Sequence, residues 1–149
     1  MLFRSPYEHK IERRVEFSET DMAGIVHYSN FFKYMETAEH AFYRALGHSV
    51  VMTQVNPPMG WPRVHAECDY MKPLRFEDMA EVHLLVKEKK NRALTYVFRI
   101  YRVNDERVEV ARGLLTVVCV AHENGTMRAV MIPKELSNQI EVAPVELLG

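Results

Sequence analysis

The segment SNFFKYMETAEHAFYRALG, residues 29–47, decides the fold. Its apolar side chains recur every three or four residues and so share one face: Phe31, Met35, Ala38, Phe42 and Leu46. The opposite face carries Lys33, Thr37, His40 and Arg44. This period is typical of an amphipathic helix. Ser29 and Asn30 are good N-cap types and Gly47 suits the position after a helix end, so we predict one long helix between them.

The chain on both sides of this helix alternates in the manner of β-strands. Residues 9–17 alternate before the helix. Five further strand signals follow it, at residues 63–70, 80–86, 94–100, 108–120 and 127–132. Short turns join them, including the hairpin signal Asn124-Gly125, so neighbouring strands should be antiparallel. Pro133 then opens a short helical segment over residues 134–140.

This order of elements predicts an α+β fold, because a single apolar helix must be covered by the one sheet available. We expect an antiparallel sheet of five to six strands wrapped around one long central helix. Residues 1–149 should form a single domain, with its core at about 9–132 and a short C-terminal helix and tail after 133. Such a sheet leaves open edges, which favours a homo-oligomer.

Composition narrows the class of protein. The chain has 149 residues, 48% of them hydrophobic, and 19 Lys/Arg against 20 Asp/Glu give a net charge of −1. This balance argues against a basic nucleic-acid binder. No apolar run approaches the roughly 18 residues of a membrane span, and the first ten residues lack the apolar stretch of a signal peptide. We therefore expect a cytoplasmic protein without nucleic-acid or membrane partners. Cys68 and Cys119 stand in no metal-binding spacing, so no metal is expected.

The loop before the helix, TDMAGIVHYSN at residues 20–30, carries the candidate chemistry. Asp21 lies beside a helix N-terminus, where free backbone N–H groups can stabilise a developing oxyanion. A carboxylate there could act as nucleophile or as general base for water. The alternative is that Asp21 is an ordinary turn residue, since Asp is common in turns.

Residues 17–38, FSETDMAGIVHYSNFFKYMETA, resemble the signature of the hotdog-fold acyl-CoA thioesterases, in particular the 4-hydroxybenzoyl-CoA thioesterase-like superfamily. Residues 60–78, GWPRVHAECDYMKPLRFED, are also similar to this family. The resemblance runs from about residue 11 to residue 132. It implies a hotdog subunit that dimerises by joining sheets, often then forms a tetramer as a dimer of dimers, and has its active sites at the dimer interface.

The resemblance also implies roles for single residues. Asp21 matches the catalytic carboxylate, and Gly24 matches the glycine that lets the loop turn. His27 and Tyr28 match the helix start, where a backbone N–H polarises the thioester carbonyl. The His-Tyr pair departs from the family's usual pairs, so the His27 side chain is either a proton carrier near neutral pH or a packing and capping group. Glu36 matches an acidic position on the helix.

Further residues are assigned to substrate binding. Val26 belongs to the apolar pair of the loop signature. Trp61 either lines the acyl pocket or is a plain core aromatic. Lys90, Asn91 and Arg92 match a basic hairpin that lies near the phosphates of coenzyme A in the family, although such a stretch is also common in ordinary solvated turns.

The resulting prediction is an acyl-CoA thioesterase that needs no cofactor, because coenzyme A is part of the substrate. Two alternatives remain. A hotdog enoyl-CoA hydratase or dehydratase would use an Asp/His pair on a different loop. A non-catalytic acyl-CoA-binding hotdog protein would need no carboxylate at Asp21.

Overall fold

The computed structural model describes residues 5–52 and 56–149. The strands are β1 (Glu8–Arg14), β2 (Met59–Gly60), β3 (Arg63–Tyr70), β4 (Met79–Lys89), β5 (Ala93–Arg102), β6 (Val108–Val118), β7 (Val120–Glu123) and β8 (Thr126–Ala129). The helices are α1 (Asn30–Ala45), α2 (Lys134–Ser137) and α3 (Val145–Leu148), and Phe17–Glu19 forms one turn of 3-10 helix. Within these ranges, none of the helices has the length and apolar character to cross a bilayer.

The main sheet has five antiparallel strands in the order β1-β4-β5-β6-β3. The predicted last strands do not extend it: β7 and β8 join β2 in a separate three-stranded sheet. The run 108–120 is interrupted at Cys119, whose N–H donates to the Arg92 carbonyl and whose carbonyl accepts the Val130 N–H. The first bond continues the pairing of β6 with β5 and the second continues the pairing of β7 with β8, so the chain passes from one sheet to the other at Cys119.

The helix α1 confirms the predicted pattern, because all five apolar side chains of its predicted face are buried. Gly47 ends it with a φ of 86°, and the His48 N–H donates to the Tyr43 carbonyl at 2.9 Å. The start differs in one detail. Ser29 is the N-cap residue, yet its side chain caps no backbone N–H and instead contacts the ring nitrogen Nδ1 of His27 at 2.8 Å.

Strand β1 is shorter than the predicted strand over residues 9–17. Two carboxylates turn the chain after Arg14: the capping box of Glu16 and Glu19 closes the 3-10 turn. Phe17 consequently leaves the core face, is 73% exposed and packs edge-on against Phe76. The predicted helix over residues 134–140 is likewise shorter, since α2 ends at Ser137.

A buried ion pair joins the middle of α1 to the start of β3. Glu39 is fully buried, and its two carboxylate oxygens accept hydrogen bonds from the Arg63 guanidinium at 2.5 and 3.2 Å. Burial raises the pKa of the Glu39 carboxyl, and the charge of Arg63 acts in the opposite direction. On the neighbouring strand, a side chain at Gly113 would overlap the Met35 thioether, so this glycine lets the helix approach β6 closely.

Candidate functional site

The loop that carries Asp21 is a tight turn closed by its own hydrogen bonds. The Asp21 N–H donates to the Ile25 carbonyl at 2.8 Å, and the Gly24 N–H donates to the Asp21 carbonyl at 3.0 Å. The Asp21 carboxylate oxygen Oδ1 accepts the Ala23 N–H at 2.8 Å. Gly24 has a φ of 79°, a conformation that glycine adopts at little cost, as predicted for this position.

These bonds occupy only one oxygen of the carboxylate. The Oδ2 atom of Asp21 has no hydrogen-bond partner within residues 5–52 and 56–149. Asp21 is half-buried, so this oxygen remains accessible. The turn thus explains why an aspartate stands here, and it still leaves one oxygen available for chemistry.

The two residues after the turn are fixed by the neighbouring backbone. The Val26 N–H donates to the Leu74 carbonyl at 2.8 Å, and the His27 N–H donates to the Glu19 carbonyl at 2.9 Å. The next N–H, that of Tyr28, donates to no acceptor in the part of the chain that the structure describes. It is therefore an unoccupied backbone donor at the start of α1, where the helix dipole favours negative charge.

The His27 side chain has packing and capping contacts. Its ring stacks on the Tyr28 ring with 4.4 Å between centroids. The Ser29 N–H donates to His27 Nδ1 at 3.2 Å, which requires a lone pair on that nitrogen. These contacts favour the interpretation in which the backbone at this position matters more than the imidazole.

A cavity of about 560 Å³ opens beside this loop. Asp21, Val26 and Tyr28 line it, so the structure brings together three of the predicted site residues. Tyr70 and Lys72 also line the cavity, and both lie in the stretch that resembles the family although neither was predicted as a site residue. The alternating pattern of residues 63–70 predicted the strand that ends at Tyr70 and gave no signal that this end lies beside the Asp21 loop.

Besides the basic hairpin, four predicted residues do not line this cavity: Gly24, His27, Glu36 and Trp61. Trp61 is buried and packs edge-on against Tyr43 with 5.6 Å between ring centroids, which favours its interpretation as a core aromatic. Glu36 is on the exposed side of α1, with one carboxylate oxygen 3.7 Å from His40 Nε2 and 3.8 Å from Arg63 Nη2.

The basic hairpin forms a second, separate depression. Lys90, Asn91 and Arg92 line a cavity of about 390 Å³ that shares no lining residue with the cavity of Asp21. Lys90 Nζ lies 3.0 Å from a carboxylate oxygen of Glu88. Within one subunit the two predicted parts of the site are therefore distinct surfaces.

Comparison with known proteins identifies the family of this chain. The model of the thioesterase-like superfamily matches residues 15–140. The chain belongs to the thioesterase-like superfamily. The "Putative esterase" of Aquifex aeolicus (strain VF5) is 38% identical over 126 residues, which cover 83% of this chain and 91% of that protein. The 1,4-dihydroxy-2-naphthoyl-CoA hydrolase of Gloeothece citriformis (strain PCC 7424) is 27% identical, covering 72% of this chain and 76% of that protein.

Solved structures share the fold of this chain. A hypothetical protein from Aquifex aeolicus superposes with a TM-score of 0.78 at 33% identity, covering 89% of this chain and 98% of that one. The 1,4-dihydroxy-2-naphthoyl-CoA thioesterase from Synechocystis superposes with a TM-score of 0.81 at 21% identity, covering 89% and 95%, and this likeness concerns the fold alone. The predicted hotdog fold and the predicted class of enzyme, a thioesterase, are confirmed.

Proposed function

We propose that this thioesterase hydrolyses an acyl-CoA to a free carboxylic acid and coenzyme A, with Asp21 as the reacting carboxylate. The observation that carries the proposal is a juxtaposition. The unoccupied Oδ2 of Asp21 and the unoccupied N–H of Tyr28 belong to residues that line one cavity. A carboxylate and an oxyanion donor beside the same space are the two groups that acyl transfer requires.

The chemical step follows from these two groups. The thioester oxygen accepts the Tyr28 N–H, which stabilises the negative charge that develops as the carbonyl carbon is attacked. As general base, Asp21 takes a proton from water, the hydroxide adds to the carbonyl carbon, the C–S bond breaks and the thiolate takes up the proton. As nucleophile, Asp21 adds to the carbon itself, the C–S bond breaks and the coenzyme A thiolate leaves. Water then hydrolyses the resulting anhydride, which releases the acid, restores the Asp21 carboxylate and supplies the proton that the thiolate takes up. Both routes consume one water.

We also propose that the working unit is a dimer formed through β3, and that two dimers form a tetramer. This strand pairs with β6 alone among the described strands, so its other edge is open. Seven of its eight residues are exposed although it alternates like a core strand, and they include the apolar side chains of Val64, 60% exposed, and Tyr70, 46% exposed. An open edge with exposed apolar side chains favours pairing with a second copy.

The basic hairpin completes the proposed site in the assembly. Lys90 and Arg92 would attract the phosphates of coenzyme A, with Asn91 as a hydrogen-bonding group between them. Since the hairpin and the Asp21 cavity are separate surfaces of one subunit, the hairpin serves a cavity to which two subunits contribute.

A hydrolysis screen tests the proposed activity. The purified protein is mixed with benzoyl-CoA, butyryl-CoA and palmitoyl-CoA, and released thiol is followed with a disulfide dye. We expect thiol release from at least one of them. Crotonyl-CoA is included, because its hydration without thiol release would indicate a hydratase instead. Binding of all four without turnover would indicate a non-catalytic acyl-CoA-binding protein.

A dilution series tests the proposed assembly. Light scattering and activity are measured on the same samples, and activity per subunit should fall as the dimer dissociates. Val64→Lys places a charge on the proposed interface and should move this fall to higher protein concentration. A monomer with full specific activity would contradict the shared site.

A further inference from the structure

Tyr70 links the open edge strand to the start of α1. It is the last residue of β3, and its phenol hydroxyl donates a hydrogen bond to the Tyr28 carbonyl at 2.9 Å. Its ring packs edge-on against Phe31 with 5.1 Å between centroids. Both Tyr28 and Tyr70 line the cavity that contains Asp21. The hydroxyl is therefore bonded to the residue whose N–H is the proposed oxyanion donor.

The Tyr28 backbone carbonyl accepts two hydrogen bonds among the described residues, and one of them comes from Tyr70. The other comes from the Phe31 N–H, at a longer distance of 3.4 Å. The Tyr28 side chain is 65% exposed and contacts the His27 ring on one face. On the N-terminal side, the bond from the His27 N–H to the Glu19 carbonyl holds the chain. The peptide bond between His27 and Tyr28 is also held by the Asn30 N–H, which donates to the His27 carbonyl at 2.9 Å. Of the two hydrogen bonds that the Tyr28 carbonyl itself accepts, the one from Tyr70 is the shorter.

We propose that Tyr70 is a positioning residue, whose hydroxyl holds the Tyr28 backbone so that the Tyr28 N–H points at the thioester carbonyl. This inference rests on the proposed function. Oxyanion stabilisation depends on donors that are fixed before the reaction, so a donor that can rotate away loses much of its effect. Because Tyr70 ends β3, the same hydroxyl would also connect the proposed dimer strand to the reaction centre.

The phenol is suited to this task over the working range of pH. Burial raises the pKa of Tyr70 to about 12, so the hydroxyl keeps its proton and remains a donor near neutral pH. The alternative is that Tyr70 only fills space. A packing role would depend on its ring and its contact with Phe31, whereas the positioning role depends on its oxygen.

The variant Tyr70→Phe separates the two roles, because it keeps the ring and removes only the hydroxyl. We expect kcat to fall about tenfold, the loss that corresponds to one hydrogen bond of ordinary strength. The KM for the most rapidly hydrolysed member of the benzoyl, butyryl and palmitoyl-CoA panel should change by less than about twofold. The melting temperature and the oligomeric mass of Tyr70→Phe should match those of the wild type.

Tyr101→Phe is the matched control. Tyr101 lies on β5, its ring packs under the Arg107 guanidinium, and it does not line the cavity of Asp21. The control should keep both kcat and KM. Equal losses of kcat in the two variants would overturn the role of the Tyr70 hydroxyl.

A spectroscopic measurement gives a readout that packing would not move. Benzoyl-CoA is bound to Asp21→Asn protein, and the stretching frequency of its thioester carbonyl is measured by infrared difference spectroscopy. A donated hydrogen bond lowers this frequency. Adding Tyr70→Phe should move it back toward the value of free benzoyl-CoA. An unchanged frequency, or a kcat of Tyr70→Phe within twofold of the wild type, overturns the role of Tyr70 alone. If the wild type hydrolyses no acyl-CoA of the panel, the proposed function is overturned as well.

Discussion

Two carboxylates near α1 differ in what the fold leaves them free to do. Asp21, in the loop before the helix, gives one oxygen to the turn and keeps the other without a partner among the described residues. Glu39, in the middle of the helix, is fully buried and has both oxygens bonded to Arg63. The same functional group is thus available for chemistry in one region and committed to structure in the other.

The difference follows from the cost of burying charge. A buried carboxylate is tolerated only when a counter-charge and hydrogen bonds replace water, so Glu39 must keep its partner. Asp21 is half-buried at the edge of a cavity and can leave one oxygen to the solvent or to a substrate. Strand β3 contacts both regions, because Arg63 begins it and Tyr70 ends it.

The largest expected effect is at Asp21. Asp21→Asn keeps the size of the side chain and an oxygen for the turn, while it removes the charge and basicity. We expect kcat for acyl-CoA hydrolysis to fall by roughly two orders of magnitude or more, with KM little changed. The melting temperature should remain close to that of the wild type. Near-normal kcat would remove Asp21 from the chemical step.

At Glu39 we expect a loss of stability with little loss of activity. Glu39→Ala leaves the Arg63 charge partly buried without its partner, which typically destabilises a protein by about 3 kcal/mol. Chemical denaturation measures the loss, and the folded fraction should retain most of its kcat. Glu36→Ala is the matched control. The Glu36 carboxylate lies 3.8 Å from the same guanidinium, but its side chain is 51% exposed and therefore keeps most of its contact with water. Equal destabilisation by the two variants would contradict the special status of the buried pair.

A smaller effect is expected at the basic hairpin, which lies apart from both carboxylates. Lys90→Ala combined with Arg92→Ala should raise KM for acyl-CoA several-fold, and the increase should shrink at high salt because phosphate attraction is screened. A short thioester without the nucleotide should be unaffected. Lys10→Ala, a charge loss on β1, serves as the control. If both substrates suffer equally, the hairpin is structural.

Local sequence pattern was sufficient for most of the elements. The period of the apolar residues located α1, and alternation located β3 to β6, because both periods follow from backbone geometry. The break at Cys119 escaped the pattern, since it depends on hydrogen bonds to Arg92 and Val130. The alternation of β3 also resembles that of a core strand, yet Val64 is 60% exposed, which is the observation behind the proposed dimer strand.

The sequence likewise predicted one part of the candidate site and missed another. Asp21, Gly24 and Tyr28 could be selected because they are close together in a motif that resembles a family. Tyr70 and Lys72 line the same cavity but are more than forty residues away along the chain, and no local period predicts a contact of that kind. Contacts between residues far apart in the sequence depend on how the helix and the strands pack, and the periodicity of one sequence does not predict that packing.

Single-turnover hydrolysis tests most directly whether Asp21 takes part in cleavage of the thioester. Enzyme in excess is mixed rapidly with the acyl-CoA that the screen identifies, and thiol release is followed for wild type, Asp21→Asn and Glu39→Gln. This measurement isolates C–S bond cleavage from product release. We expect a rate constant lower by about a hundredfold or more for Asp21→Asn, and one within a few-fold of wild type for folded Glu39→Gln. A wild-type rate in Asp21→Asn, with the loss found in Glu39→Gln instead, would exclude Asp21 as the reacting carboxylate.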